Sequence, residues 1–188
     1  MSRPRHIDPD TILDAAETVI LRDGLAKLTL DAVSQEANVS KASVLYDLKS
    51  KQGLVRAIVS RRLSRDQEAL ETAIAACSSS SNPPLAGMIA LTREKISERD
   101  RVITIGLCAA FVQDEEILKQ VRTYYKSLSD RIQEASDNKK SATLAHLALE
   151  GLRSLEWYDL YDLTPAARTQ ILDEITQLSG INGPLGAT

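Results

Sequence analysis

No stretch of this 188-residue chain approaches the roughly 18 apolar residues that cross a bilayer, and its start, MSRPRHIDPD, lacks the apolar core of a secretory leader. The protein is therefore expected to be cytoplasmic and to have no membrane partner. Aromatic residues make up only 4% of the chain, with one Trp and one Phe. Cys77 and Cys108 are too few for a disulfide framework and lie in helical patterns, which suits reduced thiols packed as small apolar residues; a redox sensor is the alternative. Strand-like alternation is missing throughout. So are a nucleophile-elbow Ser, a His-Glu-x-x-His, a phosphate loop and a repeated Glu-x-x-His. An enzyme would have to be built on isolated residues such as Cys108 and His146, and no enzymatic activity is expected. His146 has no Cys or His three or four residues away, so neither a metal nor a cofactor is expected, and Glu150 is its nearest candidate partner.

What is present is the composition of a folded soluble protein, 43% hydrophobic and 26% charged. The net charge of -3 is unevenly divided, because residues 1–62 carry ten Lys and Arg against eight Asp and Glu while the remainder is acidic. A polyanionic partner at the N-terminal end alone would account for that asymmetry, to which Ser2-Arg3-Pro4-Arg5 adds. Helix boundaries are well marked. Asp8-Pro9-Asp10 opens one helix and Gly24 closes it; Thr29 caps a second over Leu30 to Ala37; Asn38-Val39 breaks it; Ser40 caps a third, Lys41 to Leu48. Ser50 caps a fourth that has no breaker before Ser78, and SSSSNPP, residues 78–84, is expected to be a mobile loop. Five more helices are expected at about 85–98, 100–111, 114–136, 139–161 and 165–179, which makes the fold all-α with about nine helices.

The stretch VSKASVLYDLKSKQGL, Val39 to Leu54, concentrates the chemistry. The helix over Leu30 to Ala37, the break, and the helix from Lys41 form a helix-turn-helix, whose second helix commonly enters the DNA major groove. The cap at Ser40 leaves a hydroxyl and free amides where the helix dipole favours a phosphate. Lys41, Ser43 and Tyr46 are all phosphate-capable, and Lys51, at the second Ser-Lys pair, reaches the same backbone.

Residues 10–56 resemble the DNA-binding domain of the TetR family of bacterial transcriptional regulators. The resemblance rests on Ile12 to Ala16, on the spacing from Gly24 to Thr29, and on the run Ala37 to Leu54, which keeps the family's Val-Ser-Lys, its Tyr and its second Ser-Lys at matching positions. Asn38, Leu45, Asp47 and Leu48 depart from the usual Gly, Tyr, His and Phe. Leu45 is suited to a thymine methyl, while Asp47 would repel a phosphate unless it accepts from cytosine or pairs with Lys49 or Lys51. Thr29 and Ala42 complete the expected DNA-facing set. The resemblance implies a helix-turn-helix domain over 1–50, a connector helix over 50–76 and an effector-binding and dimerisation domain over 77–188. It also implies double-stranded DNA and a second copy of the chain as partners, with an unknown small-molecule effector that releases a repressor from a near-palindromic operator. An activator, or an interaction module that no longer binds DNA, is the alternative.

One C-terminal helix carries Leu144, Leu147, Ala148, Gly151, Leu152 and Leu155 on one face and Ala145 and Leu149 on another, so it needs neighbours on two sides. With Ile171, Leu172, Ile175 and Leu178 of the last helix these form either a dimer seam, the preferred reading, or an intrachain core. The family resemblance places the effector after the connector helix, with Met88, Leu91, Cys108, Phe111, Tyr124 and Trp157 as lining candidates. Each of them also suits an ordinary core position.

Overall fold

A computed structural model describes residues 8–111 and 113–182. The basic tip Ser2-Arg3-Pro4-Arg5 and the side chain of Phe111 lie outside the described residues. Among the described residues the fold is all-α, with nine α-helices and no strand: α1 Pro9–Asp23, α2 Leu30–Glu36, α3 Lys41–Leu48, α4 Lys51–Ala76, α5 Pro83–Arg93, α6 Glu98–Phe111, α7 Glu115–Glu134, α8 Lys139–Trp157 and α9 Pro165–Ser179. None of these helices is long and apolar enough to cross a membrane.

The helix starts follow from their capping residues. Asp8 accepts from the Asp10 amide at 3.0 Å, Thr29 from Ala32 at 3.0 Å, Asn138 from Ser141 at 3.1 Å and Thr164 from Ala167 at 3.2 Å. Each satisfies a donor that the first turn leaves without an intrahelical partner. Gly24, at φ 80°, ends α1 and leads into a 3₁₀ turn, Leu25–Lys27, that the sequence pattern does not reveal.

Packing divides the chain into two compact units: the chain up to Arg62 with Glu98–Gln120, and Leu63–Ser97 with the chain from Val121. The expected boundaries at 50 and 77 follow connectivity, whereas packing groups α6 with the N-terminal helices because it lies against α1. The core of the first unit draws Ile12, Ala16, Val19 and Ile20 from α1, Val33 and Val44 from the helix-turn-helix, and Leu54 and Ile58 from α4. In the second unit, Leu85, Met88 and Ile89 of α5 meet Leu128 and Ile132 of α7, Ala142, Ala145 and Leu149 of α8, and Leu172 and Ile175 of α9.

Three expectations about the second unit need correction. The helix expected over 85–98 ends at Arg93, where Arg168 of α9 donates to the carbonyls of Thr92, Arg93 and Glu94 and so caps α5 from a distant part of the chain. The helix expected to reach 161 stops at Trp157: Asp159 turns left-handed at φ 53°, and the Leu160 amide closes back on the Leu155 carbonyl at 3.0 Å. The serine run, expected as a mobile loop, is tied to its own unit through Ser81 and Asn82. Asn82 is buried, caps α5 through the Leu85 amide at 3.1 Å and donates to the Ile132 carbonyl at 2.9 Å, while Ser81 and Asn182 bond each other twice at 3.1 Å.

Candidate nucleic-acid interface

The turn between α2 and α3 depends on two local features. Asn38 takes φ 52°, which Asn tolerates better than most residues, and the Val39 amide returns to the Ser34 carbonyl at 2.9 Å. Ser40 then starts α3, its Oγ accepting from the Ser43 amide at 3.1 Å and lying 2.7 Å from the Ser43 hydroxyl. Val44 is fully buried and fixes the roll of α3, and Leu48 is half-buried. The opposite face therefore presents Lys41, Ala42, Leu45, Tyr46 and Asp47 to solvent. Tyr46 is 85% exposed and Leu45 46%, an unusual placement for two large apolar surfaces on an eight-residue helix. Lys49, at φ 61°, ends the helix.

The start of α4 is built just as tightly. Ser50 Oγ accepts from the Gly53 amide at 3.0 Å. A Cβ on Gly53 would lie 2.1 Å from the Leu48 carbonyl oxygen, so only glycine lets the end of α3 and the first turn of α4 come this close.

The lysines are not idle. Lys41 Nζ pairs with Asp31 of α2 at 2.8 Å, both side chains being more than half exposed, so this is a weak tether that a phosphate could replace. Lys51 Nζ donates to the Leu25 and Ala26 carbonyls at 3.1 and 3.3 Å, leaving one ammonium hydrogen for an anion. Asp47 makes neither of the lysine pairs that the sequence suggested: Lys51 points to those carbonyls, and no ion pair of Asp47 occurs among the described residues.

The described arginines of the same unit face inward or pair with acids. Arg61 bonds Glu17 at 2.8 Å and Asp14 at 2.7 Å, Arg62 bonds Asp100 at 3.0 Å, and Arg99 approaches Glu17 at 3.5 Å; Glu17 is almost completely buried. Arg56 reaches Asp114 at 2.8 Å and Glu116 at 2.5 Å, and Gln52 adds a bond to Asp114 at 2.7 Å. The Arg56 guanidinium, with Gln52 and the Ile117 amide, holds the Asp114 carboxyl down at about 2. Sequence reasoning missed this network. Its signature was the Glu17 placed among the apolar positions of α1, a buried acid that requires a cation.

The expected effector residues fall in both units. Cys108 is half-buried on α6 in the first unit. In the second, Met88 is in the core, Leu91 packs at its edge, Trp157 lies under the Arg153 guanidinium at 4.9 Å, and Tyr124 meets Tyr125 edge to face at 5.4 Å. Tyr124 also lines a small cleft with Leu70, Glu71, Leu128 and Arg131. Among the described residues no group of three or more His, Cys, Asp or Glu is arranged to hold a metal.

The expected dimer residues separate into two sets. Leu152 and Ile175 are already buried within the subunit. Leu144, Leu147, Leu155 and Leu178 are 40 to 61% exposed, Gly151 has open space before it, and Ala148 and Ile171 are half-buried beside them in a groove between α8 and α9.

Comparison with known proteins places both parts of the chain. Residues 12–58 match the model of the bacterial regulatory proteins of the tetR family, and residues 82–180 match that of the tetracyclin repressor-like C-terminal domain. An uncharacterised helix-turn-helix regulator of Bacillus subtilis, YvkB, is 38% identical over 60 residues, which cover 32% of each chain. Among solved structures, the regulator SCO7518 of Streptomyces coelicolor superposes with a TM-score of 0.72 at 18% identity, covering 90% of this chain and 96% of that one. The multidrug binding protein EbrR, in complex with malachite green, gives 0.69 at 18% identity with the same coverage. SmeT, the repressor of the multidrug efflux pump SmeDEF in Stenotrophomonas maltophilia, gives 0.64 at 20% identity over 97% of this chain and 94% of its own; it is also known in complex with triclosan. At these identities the structures establish a common fold.

Proposed function

The chain belongs to the TetR family of bacterial regulatory proteins, DNA-binding transcription regulators rather than enzymes, and from that premise we propose that it is a homodimeric repressor released from a near-palindromic operator by a small molecule. The observation that carries the DNA half of this reading is the outward face of α3. Tyr46 and Leu45 are held outward by the burial of Val44, next to a helix N-terminus with Ser40, Lys41 and Ser43. Ala42 leaves room for close approach to a base, Leu45 supplies an apolar contact for a thymine methyl, and Thr29, Lys41, Tyr46 and Lys51 take phosphates.

Dimerisation is supported by the exposed leucines of α8 and α9, whose two-fold pairing would give a four-helix seam. The proposed functional boundaries remain residue 50 for the end of the reading head and residue 77 for the start of the effector and dimer domain. Ligand release is supported by the relatives that carry malachite green or triclosan, both aromatic compounds. Met88, Leu91, Cys108, Phe111, Tyr124 and Trp157 remain proposed effector contacts.

The test is transcription from a reporter promoter that overlaps a DNA site the protein itself selects. Expression of the protein should lower transcription. A rise would assign activation, and no change despite binding of the site in vitro would remove the regulatory reading.

A further inference from the structure

Of the residues that α3 turns to solvent, Lys41, Ala42, Leu45, Tyr46 and Asp47, only Asp47 has no part in the proposed DNA contacts. Its side chain is exposed and makes no hydrogen bond or ion pair among the described residues. The nearby lysines are engaged elsewhere, Lys51 with the Leu25 and Ala26 carbonyls and Lys41 with Asp31. With the lysine pairings gone, the carboxylate faces either a phosphate or a base edge when α3 lies in the groove.

Charge and hydrogen bonding decide between these. A carboxylate against a phosphate weakens binding to every sequence, and this head has little to set against that. Residues 8–58 hold eight Asp and Glu and only six Lys and Arg. Of the six, Arg22 is tied to Asp23 and Glu36, Arg56 to Asp114 and Glu116, and Lys41 to Asp31. Affinity must therefore come largely from base edges. In the major groove only the exocyclic amines of cytosine and adenine donate, and adenine sets its N7 acceptor beside the amine, which repels a carboxylate and suits an amide. Cytosine N4 is the matching donor.

The build of α3 gives Asp47 access to it. Val44 is buried and Leu48 half-buried, which fixes the roll of the helix. At 3.6 residues per turn Ala42 and Tyr46 then point straight out, with Leu45 and Asp47 about 160° apart on opposite flanks. The eight residues span about 12 Å, close to the width of the major groove, so the flanks face its two strands. Ala42 is small, and Ser43 is half-buried with its hydroxyl 2.7 Å from that of Ser40, so the backbone can come near enough for a short acidic side chain to reach a base. The end of the helix is held firmly: the Leu48 carbonyl lies where a Cβ on Gly53 would approach it to 2.1 Å.

We infer that Asp47 is a specificity-determining residue that accepts a hydrogen bond from the N4 amine of a cytosine in each half-site, on the flank of α3 opposite the thymine methyl met by Leu45. Its carboxylate disfavours all other DNA and is offset only where that amine is present. The inference rests on the DNA-reading proposal above and names a base that it selects.

The test compares the full-length protein with Asp47→Ala and Asp47→Asn, each selecting from a random duplex pool at ~150 mM salt, with anisotropy titrations of the selected site and its single substitutions. Both variants change an exposed, unbonded side chain, so their urea midpoints should match the parent's. The parent's half-site should contain a cytosine at which C·G→U·A, which replaces the amine by a carbonyl without adding a methyl, weakens binding by about tenfold. Asp47→Ala should lose that preference to within about twofold, keep the other positions and bind unselected DNA more tightly. Asp47→Asn should exchange the cytosine for adenine, the base that an amide matches. The same motif from the parent and Asp47→Ala, with tighter binding to all sequences, would make Asp47 a repelling charge alone and overturn the inference. So would a parent motif with no cytosine that responds to Asp47. Either result leaves a motif standing, whereas no motif from any of the three proteins would remove the DNA-reading proposal and this inference with it.

Discussion

At the scale of single residues, the reading head divides its polar groups between holding the domain together and contacting DNA. Lys51 is proposed to do both: its ammonium spans the Leu25 and Ala26 carbonyls and keeps one hydrogen for a phosphate. Replacing it by alanine should weaken binding to all DNA sequences about equally and reduce the slope of log affinity against log salt by ~1, checked by anisotropy titrations at several salt concentrations. It should also cost about 1 kcal/mol of stability through the lost carbonyl contacts. Leu45→Ala should instead change which sequence is preferred, with stability within about 0.5 kcal/mol of the parent because the side chain is half exposed. Gly53→Ala should destabilise by about 1–3 kcal/mol or more, read from urea unfolding, since its Cβ would meet a backbone carbonyl that cannot step aside. The Ser40 cap was legible in the sequence because a cap is local: an oxygen, an amide three residues on, and an apolar position to bury. The carbonyls that hold Lys51 were not, since they belong to a 3₁₀ turn some 26 residues earlier that leaves no periodic trace.

At the scale of helices, starts were easier to read than ends. All nine begin within two residues of the expected positions, because Asp, Thr, Ser and Asn caps and N-terminal prolines act on their own first turn. The end of α5 is set by Arg168, contributed by α9 more than seventy positions away, and nothing near Arg93 announces it. Asp114 shows the converse case: an acid that looked like a simple helix start is also the anchor for Gln52 and Arg56 of α4. Its folded-state pKa, at about 2, lies below the ordinary 3.8, so the stability it confers is fully present above pH ~4 and is lost as pH falls toward 2. Asp114→Asn should therefore lower stability at pH 7 and flatten its decline between pH 4 and 2, a comparison that denaturant midpoints across that range will show. A variant with the parent's acid dependence would mean that Asp114 is not the titrating anchor.

At the scale of the whole molecule, the proposed dimer rests on the leucines that one chain leaves uncovered. Leu147 is 61% exposed on α8, and Leu147→Glu should convert a dimer into monomers at micromolar concentration in sedimentation, by placing a carboxylate in each half of an apolar seam at a cost of roughly 3 kcal/mol or more. The same variant should lose most of its affinity for a two-half site while keeping its fold. The sequence foresaw that α8 needed neighbours on two sides, and the structure separates the two: Ala145 and Leu149 turn inward with Leu152, while Leu144, Leu147 and Leu155 turn outward. That division needs the position of α9, which periodicity along α8 does not contain. In the proposed dimer, α3 of each copy reads DNA by sequence. Selection of bound sequences from a random duplex pool by the purified protein at ~150 mM salt tests it most directly, the salt being high enough to suppress binding by phosphate contacts alone. A two-fold symmetric motif, with half-sites about one helical turn apart, is the predicted result. A folded, dimeric protein that enriches no motif would contradict it.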